Sequence, residues 1–112
     1  MDKEVQDFSR EIEQIMKNGD QQIYQELAKK EKSCLDYAKD NVDRFVNCMS
    51  DSTKKIEKEE KKFEYRMAFL QHNLYTCFQK AQQNSSSKEP CKQQARDNIQ
   101  RYLDELVQSL RR

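Results

Sequence analysis

The stretch that decides the fold is CLDYAKDNVDRFVNC, residues 34–48, a cysteine, thirteen residues, then a cysteine. The same frame returns as CFQKAQQNSSSKEPC at 77–91, and these are the only four cysteines in 112 residues. In the second segment the reading is direct. Asn84-Ser85-Ser86-Ser87-Lys88-Glu89-Pro90 is the clearest break in the chain, with Ser86 or Ser87 as helix N-cap and Pro90 suited to the first turn of the next helix. Cys77 and Cys91 flank that break almost symmetrically and are expected to face one another across a helical hairpin. The first segment leaves two readings open. LDYAKDNVDRFVN lacks Gly and Pro, and a continuous helix would hold Cys34 and Cys48 about 21 Å apart at ~1.5 Å per residue, beyond the ~4.4–6.8 Å Cα separation of a disulfide. If Asp40 or Asn41 instead caps a new helix, the chain turns near residue 40 and the two cysteines meet.

Working outward, the composition is helical: one Gly, one Pro and abundant Lys, Glu and Gln. The expected fold class is all-α, a set of disulfide-stapled antiparallel hairpins with three main helices in a single domain, 1–112. An N-terminal arm at 1–39 carries Val5, Phe8, Ile12, Ile15, Ile23 and Leu27. Asn18-Gly19-Asp20 reads there as a C-cap followed by an N-cap, so the arm is one kinked helix or two. A long central helix over 42–83 spans roughly 60 Å. Its seam, Thr53, Ile56, Glu60, Phe63, Met67, Leu70, Leu74, Cys77 and Ala81, alternates steps of three and four. After a loop at 84–88, a closing helix at 89–111 places Cys91, Ala95, Ile99, Tyr102, Leu106 and Leu110 on one stripe.

The hydrophobic fraction of 35% and mean hydropathy of −1.21 leave little material for a deep core, so staples or a partner are expected to supplement it. Lys plus Arg, 21, nearly balances Asp plus Glu, 20, which gives no electrostatic reason to expect a nucleic-acid partner. No stretch nears eighteen apolar residues, so no membrane span is expected, and MDKEVQDFSREIEQ has neither an apolar signal core nor the character of a transit peptide.

The remaining residues weigh against catalysis. His72 is the only histidine and nothing in the sequence orients it toward a cysteine. Thirteen-residue gaps do not present two zinc ligands from one knuckle, and one Gly cannot build a phosphate-binding loop. KKIEKEEKK at 54–62 reads as a charge-dense helical face, solvated or paired at i to i+4 and only weakly suggestive of a docking surface, and Asn84-Ser85-Ser86, although a glycosylation sequon, reads as a loop. No enzyme activity, metal or cofactor is expected. Protein partners are. Tyr65, Phe69, Tyr75 and Phe78 on the long helix are candidate contacts for them, a wide core stripe being the plainer reading of the same residues.

The paired cysteines on antiparallel helices resemble the twin-cysteine hairpin proteins of the mitochondrial intermembrane space, and within them the family with sequence similarity 136. EKKFEYRMA at 60–68 resembles that family's long-helix segment, and CKQQARD at 91–97 its last Cx3C motif. The likeness covers roughly residues 10–107. It implies a helix, long helix, helix plan in which Cys34 with Cys48 and Cys77 with Cys91 are the inner bridges. The outer positions would be Lys30, Ser52, Asn73 and Ala95, so both outer bridges are lost. It further implies import through an oxidative relay that reads a cysteine beside an aromatic-bearing face, here Leu74 and Phe78 near Cys77 and Phe45 near Cys48. The function expected on this basis is a structural or assembly protein of the intermembrane space, an accessory subunit on a larger membrane complex such as a respiratory-chain complex. The alternative is a reduced helical-bundle or coiled-coil interaction protein of the cytosol or cytoskeleton, using the seam at 53–81.

Overall fold

A computed structural model describes residues 3–112; positions 1 and 2 of the expected N-terminal arm lie outside the described residues. Three helices follow in order: α1, Lys3–Ala38; α2, Val42–Gln83; and α3, Glu89–Arg111. Each packs on both others in an up-down-up bundle 65 Å long and about 20 Å across, 21 by 19 Å, with α2 antiparallel to both neighbours and α1 parallel to α3. The fold is all-α with a long central helix. None of the described helices is long and apolar enough to cross a membrane.

The chain does turn near residue 40. α1 ends as Lys39 enters the left-handed region at φ 53°, its N–H donating to the Leu35 carbonyl at 3.0 Å. This is the single-bond left-handed helix stop, usually given to Gly because a Cβ is disfavoured there. Asn41, extended at φ −94°, ψ 106°, then caps α2, its side-chain oxygen accepting from the Arg44 N–H at 3.1 Å. The second turn is a Schellman stop. Ser85 takes φ 52° while the N–H groups of Ser86 and Ser85 donate to the carbonyls of Ala81 (2.7 Å) and Gln82 (3.2 Å).

Two local expectations are corrected. The N-cap position of α3 is Lys88 rather than Ser86 or Ser87, although the Ser87 hydroxyl accepts from the Glu89 N–H at 3.1 Å and Pro90 does sit in the first turn. Asn18-Gly19-Asp20 caps nothing, because α1 runs helically straight through it. Gly19 is instead buried against α3. A Cβ there would lie 2.7 Å from Leu103 Cδ2, so the absent side chain lets the two helices approach closely.

The core sits where all three helices overlap: Phe8, Leu70, Ala95, Ile99 and Leu103 form its buried centre, with Phe63, Met67 and Leu74 among the residues packed against it. α3 buries a wider face than its expected stripe, adding Leu103 and Val107, because it touches both neighbours at once. Tyr102 is only half-buried. Ion pairs bolt α3 to α1 along its length: Lys92 Nζ to Glu4 at 2.7 Å, Arg96 forked onto Glu11, and Arg111 Nε to the buried Glu26 at 3.0 Å.

Because α3 ends beside Glu26, the last twelve residues of α1, about 18 Å of helix, pair with the start of α2 alone. This two-helix end has little core. α2 has no buried residue before Leu70, and its seam positions Thr53 and Glu60 are exposed.

Candidate functional site

The four cysteines pair as Cys34–Cys48 and Cys77–Cys91, with Cα separations of 5.6 and 5.9 Å, and no cysteine is left free. Both Cα separations lie within the usual disulfide range. The bonded sulfurs leave no thiolate for a zinc ion or a nucleophile. Each bridge joins two helices just beyond their turn, and each hides one partner: Cys34 and Cys91 are buried, Cys48 and Cys77 half-buried. In the chain-entropy account a loop of this length is worth ~3 kcal/mol. That contribution matters most at the two-helix end, where apart from Cys34 and Ala38 nothing is buried on α1 past Glu26. There the staple takes over the work a core does elsewhere.

The residues one helical turn outside each staple also come together. Lys30 and Ser52 line one groove, and Asn73 and Ala95 one small cavity beside the Cys77–Cys91 bridge. Phe45 is half-buried near Cys48, and Leu74 and Phe78 are half-buried near Cys77.

The four candidate contact residues divide. Tyr65, Phe69 and Tyr75 are 71%, 65% and 63% exposed. Tyr65 lies two residues, about 200° around the helix, from both Phe63 and Met67 of the core seam, and Phe69 is one turn further along the same outer face. Tyr75 is on a neighbouring strip, its hydroxyl accepting from Gln79 Nε2 at 2.9 Å. Phe78 belongs to the interior: its ring stands edge-on to Phe8 at 6.3 Å between centroids, with the Lys88 ammonium 5.8 Å above it. The structure thus leaves a Tyr65–Phe69 pair facing solvent and uses Phe78 to seat α1. His72 is exposed on the same outer side, its carbonyl accepting from the Thr76 hydroxyl at 3.0 Å.

A second apolar surface was only half legible in the sequence, where Leu27 and the seam residues Thr53, Ile56 and Phe63 were expected but not as walls of one groove. At the two-helix end, Tyr24, Leu27 and Ala28 of α1 face Met49, Thr53 and Ile56 of α2 across an open groove that runs on past Glu60 to Phe63 and Leu106. On α1 the unread positions are 24, 28 and 31, where Tyr, Ala and Glu read as a polar flank beside the main seam.

The electrostatics follow the helix contacts. The Arg111 hydrogen bond holds the Glu26 carboxyl below its ordinary value, and Arg96 does the same for Glu11. The hydrogen bond to Glu4 raises the Lys92 ammonium. These shifts belong to ion pairs that clamp α3 on α1. Among the described residues no group of three or more His, Cys, Asp or Glu is placed to hold a metal ion. Comparison of the chain with protein-family models, with curated proteins and with solved structures finds no match in any of the three.

Proposed function

We propose that this chain is a non-enzymatic docking module, a structural or assembly protein of the mitochondrial intermembrane space that sits as an accessory subunit on a larger membrane complex such as a respiratory-chain complex. The observation that carries the reading is the pair of equal staples. Each spans a sequence separation of 14 and ties antiparallel helices beside a turn. Disulfides of this kind persist in oxidising compartments and are rare in a reducing cytosol. The twin-hairpin plan, and the resemblance to intermembrane-space proteins that share it, narrow the compartment to one that handles such hairpins oxidatively. The docking role is supported by the division of the aromatics. Phe78 is spent on internal packing, whereas Tyr65 and Phe69 hold large apolar area toward solvent, the type of residue that anchors interfaces.

The test is submitochondrial fractionation of the tagged protein followed by native electrophoresis. Protection from protease in intact mitochondria, loss of that protection on rupture of the outer membrane, and comigration with a large complex are expected. A cytosolic pool of monomer with four free thiols contradicts the reading.

A further inference from the structure

We infer that the groove between α1 and α2 at the two-helix end is the seat of a basic amphipathic helix from a partner protein; the inference rests on the docking-module reading and supplies the partner's chemistry. Three observations lead to it. First, the groove is apolar along its floor and lies on a face that α3 reaches at one end alone, through Leu106. Glu26 meets α3 through Arg111, whereas Tyr24 and Ala28 are each two residues, about 200° of helix, away from Glu26. Second, this is the part of the bundle with the least core of its own. Leu27, Met49 and Ile56 remain half-exposed and Tyr24 is 73% exposed. A third helix laid here would bury them, as α3 does for the seam further along.

Third, the rim is predominantly acidic. Asp20, Glu31, Glu57 and Glu60 line the groove, and none of them makes an ion pair with any described residue. Glu64, already paired with Lys61, adds a further carboxylate, and Lys30 is the single cation of the lining. Four uncompensated carboxylates around an apolar floor select an occupant with Leu-like residues on one face and Lys or Arg on both flanks. The same rim argues against a second copy of this chain. A two-fold pairing through the groove would set these carboxylates against their own counterparts.

The test uses the full oxidised chain, isotope-labelled, and two synthetic helices of about 18 residues, long enough to span ~27 Å. Both peptides carry the same Leu/Ala stripe, one flanked by Lys and the other by Glu. The Lys-flanked peptide is expected to perturb the amides of Tyr24, Leu27 and Ile56 and to bind on the order of ten-fold more tightly than the Glu-flanked one. The double variant E57K/E60K, altered only at exposed positions, brings the lining close to charge balance and is expected to abolish that preference. Equal binding of the two peptides, binding of neither, perturbation centred on Tyr65 and Phe69, or a dimer in sedimentation with the groove amides perturbed overturns the inference. If the peptides fail while the chain still comigrates with a mitochondrial complex, the groove is eliminated and the docking-module reading stands. Free thiols and a cytosolic location eliminate that reading itself.

Discussion

Gly19 of α1 lies against Leu103 of α3 so closely that a Cβ on Gly19 would be 2.7 Å from Leu103 Cδ2 and 3.3 Å from its Cγ. Leu103 is buried, so its whole side chain would have to move within a filled core. Overpacking of this type costs about 1–3 kcal/mol, against a helix-propensity gain of about 1 kcal/mol from Gly to Ala. Gly19→Ala is therefore expected to destabilise by about 1 kcal/mol, a fall in Tm of roughly 4 °C. Adding Leu103→Val, which removes the atoms in conflict, should recover part of that loss. Additive losses in the double variant would show that the two residues do not share one contact.

The staples should be unequal in reach. Replacing both Cys34 and Cys48 with Ser is expected to cost about 3 kcal/mol, and Cys48→Ser alone nearly as much, because either change opens the same bridge. Hydrogen exchange should then show lost protection in α1 past Glu26 and in the first turns of α2, with the Ile99 region still protected. Loss of protection spread evenly over all three helices would contradict the division into a stapled two-helix end and a core-bearing three-helix end.

The first turn carries an avoidable strain. Lys39 holds φ 53° with a side chain in the way. A left-handed non-Gly residue costs about 1–2 kcal/mol relative to Gly, so Lys39→Gly is expected to raise Tm by several degrees. Asn41→Ala, which removes the acceptor for the Arg44 N–H, should lower it through a loss of about 1 kcal/mol. Thermal melts of the oxidised protein measure both.

These two positions show what a sequence can and cannot disclose here. The hairpin at 77–91 was legible because a run of Ser before Pro90 breaks any helix. The turn at 39–41 was legible only as one of two readings, because Lys39 carries no turn signal and the hints were the capping potential of Asp40 or Asn41 and the equal cysteine spacing. Gly19 was misread as a cap because a close approach between helices 84 residues apart has no local signature. Leu103 and Val107 were missed because a single stripe assumes one neighbour, whereas α3 has two. The groove was legible only by halves: Thr53, Ile56, Glu60 and Phe63 stood out as a seam and Leu27 as part of the arm, but nothing local showed that two helices wall one open groove.

The α1–α3 clamp sets the response to pH. Glu26 and Glu11 have folded-state values lowered from the ordinary 4.5 by Arg111 and Arg96. Their contribution is present above the unfolded value and fades as pH falls through the lowered folded value, so Tm should decline on acidification across the carboxylate range. Lys92 is raised from 10.5 by Glu4. Its contribution is present below that value and fades as pH rises through the raised one. Glu26→Gln should lower Tm at neutral pH by a few degrees and flatten the acid limb. Arg111→Ala should do the same, and the two together should add little. An unchanged acid limb in Glu26→Gln would place the sensitivity elsewhere.

The most direct measurement is non-reducing peptide mapping of the native protein with free thiols blocked at lysis. Linked peptides joining Cys34 to Cys48 and Cys77 to Cys91 are the predicted result, and they would fix both hairpins in the oxidised form on which the docking role depends. Four blocked thiols, or any other pairing, would contradict it.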